Sequence, residues 1–414
     1  MITKEQFEKL VGVKLIEQDG KLVCKSYLDL EGRTDITELP DNLTVLSSLD
    51  LKNSGVNKLP KGLEVGSDLR ISGTDIKELP EDTKFSGYFC ANDMKKPFAF
   101  PKVVKVNGYL KCKNTTIKRM PEELYTENDC NFSGSTFNKL PKVMEVGESL
   151  ILQSTPITEL PKGLKEVYGL VNIRYTNVSK LPNNFVAYGG LKLDNTPIED
   201  LSEGLIVSGE LELRETNLRD YSNLHKVCCG FRVSEEKYKE IEDTLAEHTI
   251  EIVKQFCTVL VTFEPNYKGA YLFENEIGKY IYADGIFTKI VEEKGNVYHV
   301  QRYGDGNIIY LITDGEGRWS HGYTLEKAKA DLIYKISNRN KDSYKDLTLD
   351  SELSFEDAIV CYRVITGACS FGTRDFIENR LGENKNDKYT INEIITLTEG
   401  EYGNESFRDF FCKD

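Results

Sequence analysis

Cys369 lies in the run Gly367-Ala368-Cys369-Ser370-Phe371-Gly372, directly before a helix start signalled by Thr373. A thiol beside a helix N-terminus loses its proton more easily and can act as a nucleophile. His321 or His299 could then serve as the base. The competing reading of Cys369 is a buried structural thiol, since cysteine is frequent in this chain. Trp319 and His321 sit at a strand-to-helix junction, where they either line a pocket or pack the junction. Arg374 and Arg380 could hold a carboxylate or phosphate, or simply be solvated on a charged helix. Metal chemistry has little support: no CxxC pair occurs, and His225, His248, His299 and His321 lack ligand spacing. No Gly-rich phosphate loop and no paired-carboxylate motif is present, so no cofactor is expected.

The elements that precede these residues repeat. Pro40, Pro60, Pro80, Pro101, Pro121, Pro141, Pro161 and Pro182 each follow Leu, Phe or Met, at spacings of 20 or 21 residues. Leu201-Ser202 and Tyr221-Ser222 continue the phase as degenerate copies. Each unit reads apolar-x-apolar-x-x-Ser/Thr-x-apolar-x-x-Leu-Pro, as in Leu69, Ile71, Thr74, Ile76, Leu79, Pro80. A period this short marks a solenoid, whose units cannot bury a core alone and must stack. The alternating pair predicts a short strand, and its recurrence predicts a parallel sheet. The proline predicts an extended outer segment.

A column of small hydroxyls, Thr34, Ser54, Thr74, Thr115, Ser135, Thr155, Thr176, Thr196 and Thr216, is expected to bond the backbone of the adjacent rung. The unit ending at Pro101 carries an extra residue and places Lys95 in that column, which predicts a bulged rung.

This pattern resembles the short bacterial leucine-rich repeats of the Leu-Pro type over residues ~22–235, with Ser/Thr where most such repeats carry Asn. The resemblance implies a protein-binding scaffold. A right-handed β-helix is the rival architecture.

On the side of the sheet away from the core, one column reads Asp50, Arg70, Lys111, Asn131, Ile151, Asn172, Lys192, Glu212, Arg232. The next reads Lys52, Ser72, Asn92, Lys113, Ser133, Gln153, Arg174, Asp194, Arg214, with Tyr88, Tyr109 and Tyr175 flanking. Candidate partner-binding residues are Lys52, Arg70, Tyr109, Lys111, Lys113, Arg174, Tyr175, Lys192 and Arg214.

Only Pro265 lies beyond residue 200, which marks a boundary. Domains are expected at 1–235 (solenoid with an N-terminal cap), 236–256 (a capping helix, from apolar residues at Ile241, Leu245, Ile252 and Phe256) and 257–414. The last reads as an α+β module: an antiparallel meander turning at Asp284-Gly285 and Asp305-Gly306, then helices. Thr324, Ser354, Thr373 and Thr390 are the expected N-caps, and Leu325, Ala328, Leu332 and Ile336 the inward positions of one helix. The step Ser320-x-Gly322-x-Thr324-x-Glu326-x-Ala328 is similar to the strand-to-helix turn of HicB-type antitoxins over about a dozen residues.

The 414-residue chain has a net charge of −14. Residues 236–414 hold 22 Lys/Arg and 33 Asp/Glu, leaving 31 and 34 for residues 1–235. The acidic half disfavours contact with nucleic-acid backbone and suits a basic partner, such as a nucleic-acid-binding protein, or an oligomerisation surface. Mean hydropathy is −0.41 and no apolar run spans a membrane. With ten cysteines and no apolar leader, a reduced cytoplasmic setting is expected.

The expected function is that of a non-enzymatic protein-binding scaffold. Low Ala with abundant Lys, Asn, Ile and Tyr is similar in texture to proteins of phages and mobile elements of low-GC bacteria. Inhibition of a host factor, such as a defence or CRISPR effector, fits that texture. The alternatives are an effector-like enzyme using Cys369 and a structural virion component.

Overall fold

The computed structural model describes residues 2–219, 230–245, 249–255, 258–263, 265–302, 307–336, 341–368, 373–374, 376–381 and 385–412. The chain divides into two compact units, Met1–Glu264 with Asn275–Ile277, and Pro265–Glu274 with Gly278–Asp414.

The first unit is a parallel β solenoid. Each turn adds a two-residue strand to one thirteen-stranded sheet, from Leu28–Asp29 through Leu49–Asp50, Leu69–Arg70 and onward to Leu211–Glu212. Pairing joins equivalent repeat positions: Leu49 with Leu69, Leu69 with Phe89, Leu110 with Cys130. The first residue of each pair is buried in a core that runs unbroken from Phe7 to Val261.

A second set of parallel ladders, absent from the sequence expectation, precedes these strands in each turn. It comprises Leu43–Val45, Glu64–Val65 and Lys84–Phe85; then Val103–Val106, Glu123–Thr126 and Val143–Val146; then Glu166–Val167, Val186–Ala187 and Ile206–Val207. After each long-sheet strand the chain turns through a left-handed residue. Gly73 and Gly134 take this place at φ 68° and 69°. A Cβ on either would collide with the carboxamide oxygen of Asn53 or Asn114, one turn earlier.

The hydroxyl column is buried from Ser54 to Thr196, but its bonds divide into two kinds. Thr74, Thr155, Thr176, Thr196 and Thr216 donate within their own turn, to the carbonyls of Ile71, Leu152, Ile173, Leu193 and Leu213. Among the described members of this column, those around the bulged rung cross-link turns as expected. Thr115 donates to Ala91 O (3.0 Å), and Ser135 donates to Cys112 O (2.6 Å) while accepting from Thr115 N (2.9 Å). The bulge itself falls between Phe98 and Ala99, where the pairing with Ile117–Arg119 slips register.

Both ends are closed. At the start, helix α1 (Lys4–Val11) has a Thr3–Gln6 capping box and buries Phe7, and the strand Ile16–Gln18 pairs antiparallel with Lys21–Cys24. At the far end the helix expected over 236–256 stops early. Helix α2 (Glu235–Leu245) buries Tyr238 and Ile241, and Thr249–Gln255 is a strand. That strand pairs antiparallel with Thr258–Phe263, which in turn pairs with Phe231–Ser234 and covers the edge of the long sheet. The β-branched run Thr249-Ile250-Glu251-Ile252-Val253 follows strand propensity, and strand pairing prevails over the helical spacing.

The second unit is a six-stranded meander, from Tyr271–Asn275 to Trp319–Gly322, followed by helices α3 (Leu325–Ile336), α4 (Phe355–Thr366), α5 (Ile391–Leu397) and α6 (Asn404–Phe411). Thr324, Ser354 and Thr390 bond the amides of Lys327, Asp357 and Glu393, as caps should. On α3, Ala328 and Leu332 are buried, but Ile336 is exposed and Asp331 is buried in its stead. Asp331 accepts from Arg363 of α4 at 2.9 Å, so an ion pair holds a site that the sequence assigns to apolar packing. No helix among the described residues is long and apolar enough to cross a membrane.

Ser135 bridges two rungs through a fully buried hydroxyl, so its loss orphans Cys112 O and Thr115 N. Ser135→Ala is expected to cost about 2 kcal/mol in urea unfolding. Removing the exposed neighbour, Thr136→Ala, should stay within about 0.5 kcal/mol.

Candidate functional site

The solenoid face outside the long sheet carries most of the residues chosen from sequence. Asp50, Asn172, Glu212 and Asp194 are buried there despite their polarity. Arg70 bonds Asp50 (3.3 Å) and Asp68 (3.2 Å), lies 4.9 Å from the Tyr88 ring centroid and also donates to the Tyr88 hydroxyl. Lys52 pairs with Glu31 at 2.7 Å.

Towards the other end, Lys192 pairs with Glu212 (2.6 Å), and Arg214 bridges Asp194 and Glu212 (2.7 Å each). Arg174 approaches the same two carboxylates at 3.8 and 3.7 Å. Burial pushes the Asp194 carboxyl up, and its bond to Arg214 only partly opposes this. Burial also acts on Glu212, but bonds from Lys192 and Asp194 hold it below the ordinary value. Arg70, Arg174, Lys192 and Arg214 are therefore engaged within the ladder.

The centre of the face differs. Lys111 lies 5.1 Å from the Tyr109 ring centroid, and Tyr109 meets Tyr88 edge-on at 6.5 Å. Tyr109 and Lys113 are exposed. Among the described residues no carboxylate pairs with Lys111 or Lys113. The residue beside Lys111 in the preceding turn is Cys90, half-buried in the outward column.

Tyr175 is exposed at φ 56°. Its counterparts in neighbouring turns are Ser154 and Asn195. A bulky residue is rare in this left-handed region, and such strain concentrates where a side chain is needed for contact.

A second constellation lies in the other unit. The strands Gly278–Ala283 and Ile286–Lys294 join through Asp284 and Gly285, both left-handed at φ 54° and 74°, the two-residue turn expected of Asp-Gly. The Asp284 carboxylate accepts from His321 Nδ1 (2.6 Å) on the last strand and from Lys335 Nζ on α3. Lys335 also donates to Trp319 O at 2.9 Å. Asp284 and His321 side chains are 2% and 3% exposed. Both line a cleft of about 690 Å³ together with Arg302, Arg380, Tyr282 and Tyr402.

His299 is not among the described lining residues; it pairs with Glu292 at 2.9 Å and packs edge-on against Tyr310. Trp319 is buried against Tyr298 and donates to Lys268 O, a packing role. Cys369 lies outside the described residues. Asp284 was legible only as a turn residue and Lys335 gave no signal, because nothing periodic marks their burial.

No protein-family model, curated protein or solved structure matches the chain.

Burial pushes the thiols of Cys112, Cys130 and Cys361 up, the last to about 12, while Cys412 is exposed. Iodoacetamide on the native protein should label Cys412 and spare those three until denaturant is added, as read by mass spectrometry. Tyr175→Gly should raise unfolding stability by about 1 kcal/mol through relief of the left-handed strain.

Proposed function

We propose that the chain is a protein-binding scaffold whose contact surface is the centre of the long-sheet face, around Tyr88, Tyr109, Lys111 and Lys113. The observation that carries this reading is the contrast along that face. Ion pairs occupy the cations on both flanks, and the centre offers aromatics with two lysines that no carboxylate among the described residues engages. Tyrosines beside cations give large contact area at little entropic cost, as binding hot spots do. The lysines suit a carboxylate-bearing segment of a partner protein. Tyr175, displayed in a strained turn, adds an anchor further along the solenoid. The acidic second half suits a partner with a basic surface, and such a partner could engage both regions through separate patches.

Pull-down from a lysate of low-GC bacterial cells, with mass-spectrometric identification, tests this. A stoichiometric protein captured by the wild type should be lost with Tyr109→Ala combined with Lys111→Glu. Its affinity should fall by about thirtyfold for Tyr109→Ala alone. Lys162→Glu, an exposed change elsewhere, should leave capture intact. Capture indifferent to both central substitutions would overturn the assignment.

A further inference from the structure

The Asp284–His321–Lys335 cluster is not needed for the local fold around it. An Asp-Gly turn requires left-handed backbone, which Asn supplies as well as Asp. Hairpin tips also normally face water, where a carboxylate is cheap. Here the tip carboxylate is 2% exposed and Lys335 is 8% exposed. Burying ionisable groups together is commonly less stable than packing apolar ones of the same size. The Asp331–Arg363 pair already ties α3 to α4 as a purely structural ion pair. Such clusters are characteristic of sites that bind or transform a ligand.

The surroundings supply the rest of a site. The Asp284 carboxylate accepts at His321 Nδ1, which fixes that nitrogen as the donor and gives the ring one orientation. The cleft that His321 and Asp284 line is also lined by two arginines, Arg302 and Arg380, among largely apolar walls that include Phe355, Phe376 and Ile394. Its volume is in the range of small-molecule sites. Arg380 lies on a π-helical turn, Ile377–Leu381, a distortion frequent at functional sites. At the mouth Arg380 pairs with Glu401 at 3.2 Å, and both are solvent-accessible. Tyr402 is held over the cluster: its carbonyl accepts from the Tyr362 hydroxyl (2.9 Å), and Lys335 Nζ lies 5.2 Å from its ring centroid.

We propose that this cleft binds a small organic anion with an apolar body. Its carboxylate or phosphate exchanges with Glu401 for Arg380 and meets Arg302, and its body lies against the aromatic walls within reach of His321. This function is separate from the scaffold reading and does not depend on it.

The test uses the full chain with four probes: benzoate, phenyl phosphate, benzamidine and benzyl alcohol. Affinities come from ligand-observed NMR and calorimetry. At least one anion should bind in the low millimolar range usual for fragments, ahead of the cation and the neutral alcohol. The benzoate and phenyl phosphate arms distinguish the two anion chemistries. Arg380→Gln should weaken that anion by about threefold, and Glu401→Gln should strengthen it by a similar factor. Arg380 is exposed and Glu401 half-buried at the surface, and both substitutions keep the side-chain shape, so neither change threatens folding. The His321 ring ¹⁵N signals, assigned by their loss in His321→Gln, should move on saturation. Lys162→Glu, an exposed change in the first unit, should leave anion affinity unaltered, and anion binding is read without any protein partner, which separates this result from any failure of the scaffold proposal. The proposal is overturned if no anion binds at about 20 mM, if benzamidine binds best, or if Arg380→Gln and Glu401→Gln leave affinity unchanged.

Discussion

In-register parallel stacking governs the first unit. Each residue lies beside its own counterpart one turn away, about 4.8 Å distant. For apolar positions this is favourable: Leu28, Leu49 and Leu69 stack leucine on leucine in a continuous core. For charged positions it is a restriction, because a repeated charge would face itself along the whole sheet. Beyond the first pair, where Asp29 lies beside Asp50, the outward columns obey that restriction. Asp50 is followed by Arg70, and Lys192 by Glu212 and Arg232. Arg174, Asp194 and Arg214 alternate in the second column and bond one another.

The same rule explains where binding capacity remains. Lys111 is flanked in register by Cys90 and Asn131, and so has no opposite charge beside it. Its column neighbours cannot neutralise it, and Tyr109, two residues before it, offers a ring face. The contact surface proposed for this solenoid is thus a local interruption of charge alternation. The extra residue at the neighbouring rung falls close to that interruption, where cross-turn hydroxyl bonds from Thr115 and Ser135 replace the usual bonds within a turn.

Periodicity also decides what could be read from sequence. Proline spacing located the long sheet, because each Leu-x-Leu pair recurs with two core residues and an invariant turn. The second ladders escaped notice since many of their strands, such as Glu64–Val65, contribute a single deeply buried side chain. The segment after Leu245 misled for the opposite reason. Its apolar residues fit both a helical and an alternating pattern, and only the open edge of Phe231–Ser234 decides between them. In the second unit Ser354 and Thr390 were legible because a cap acts on amides two or three residues away. The Asp284 cluster unites residues 37 and 51 positions apart, and no local rule connects them.

The two units consequently suit different classes of ligand. A stacked sheet repeats its geometry every turn, so similar contacts recur along its face. A macromolecule can span several turns and draw on Tyr109, Lys111 and Lys113 together. The cleft of the second unit has the reverse character. Its lining comes from a hairpin tip, a strand end and several helices, each used once, and it encloses rather than repeats. Charge follows the same division. The acidic half carries an excess of eleven negative charges, a field that opposes any anion at long range. Arg302 and Arg380 can act against that field only at short range, by direct contact with the anion. An anion would therefore be selected by the cleft itself and not gathered by the surface around it.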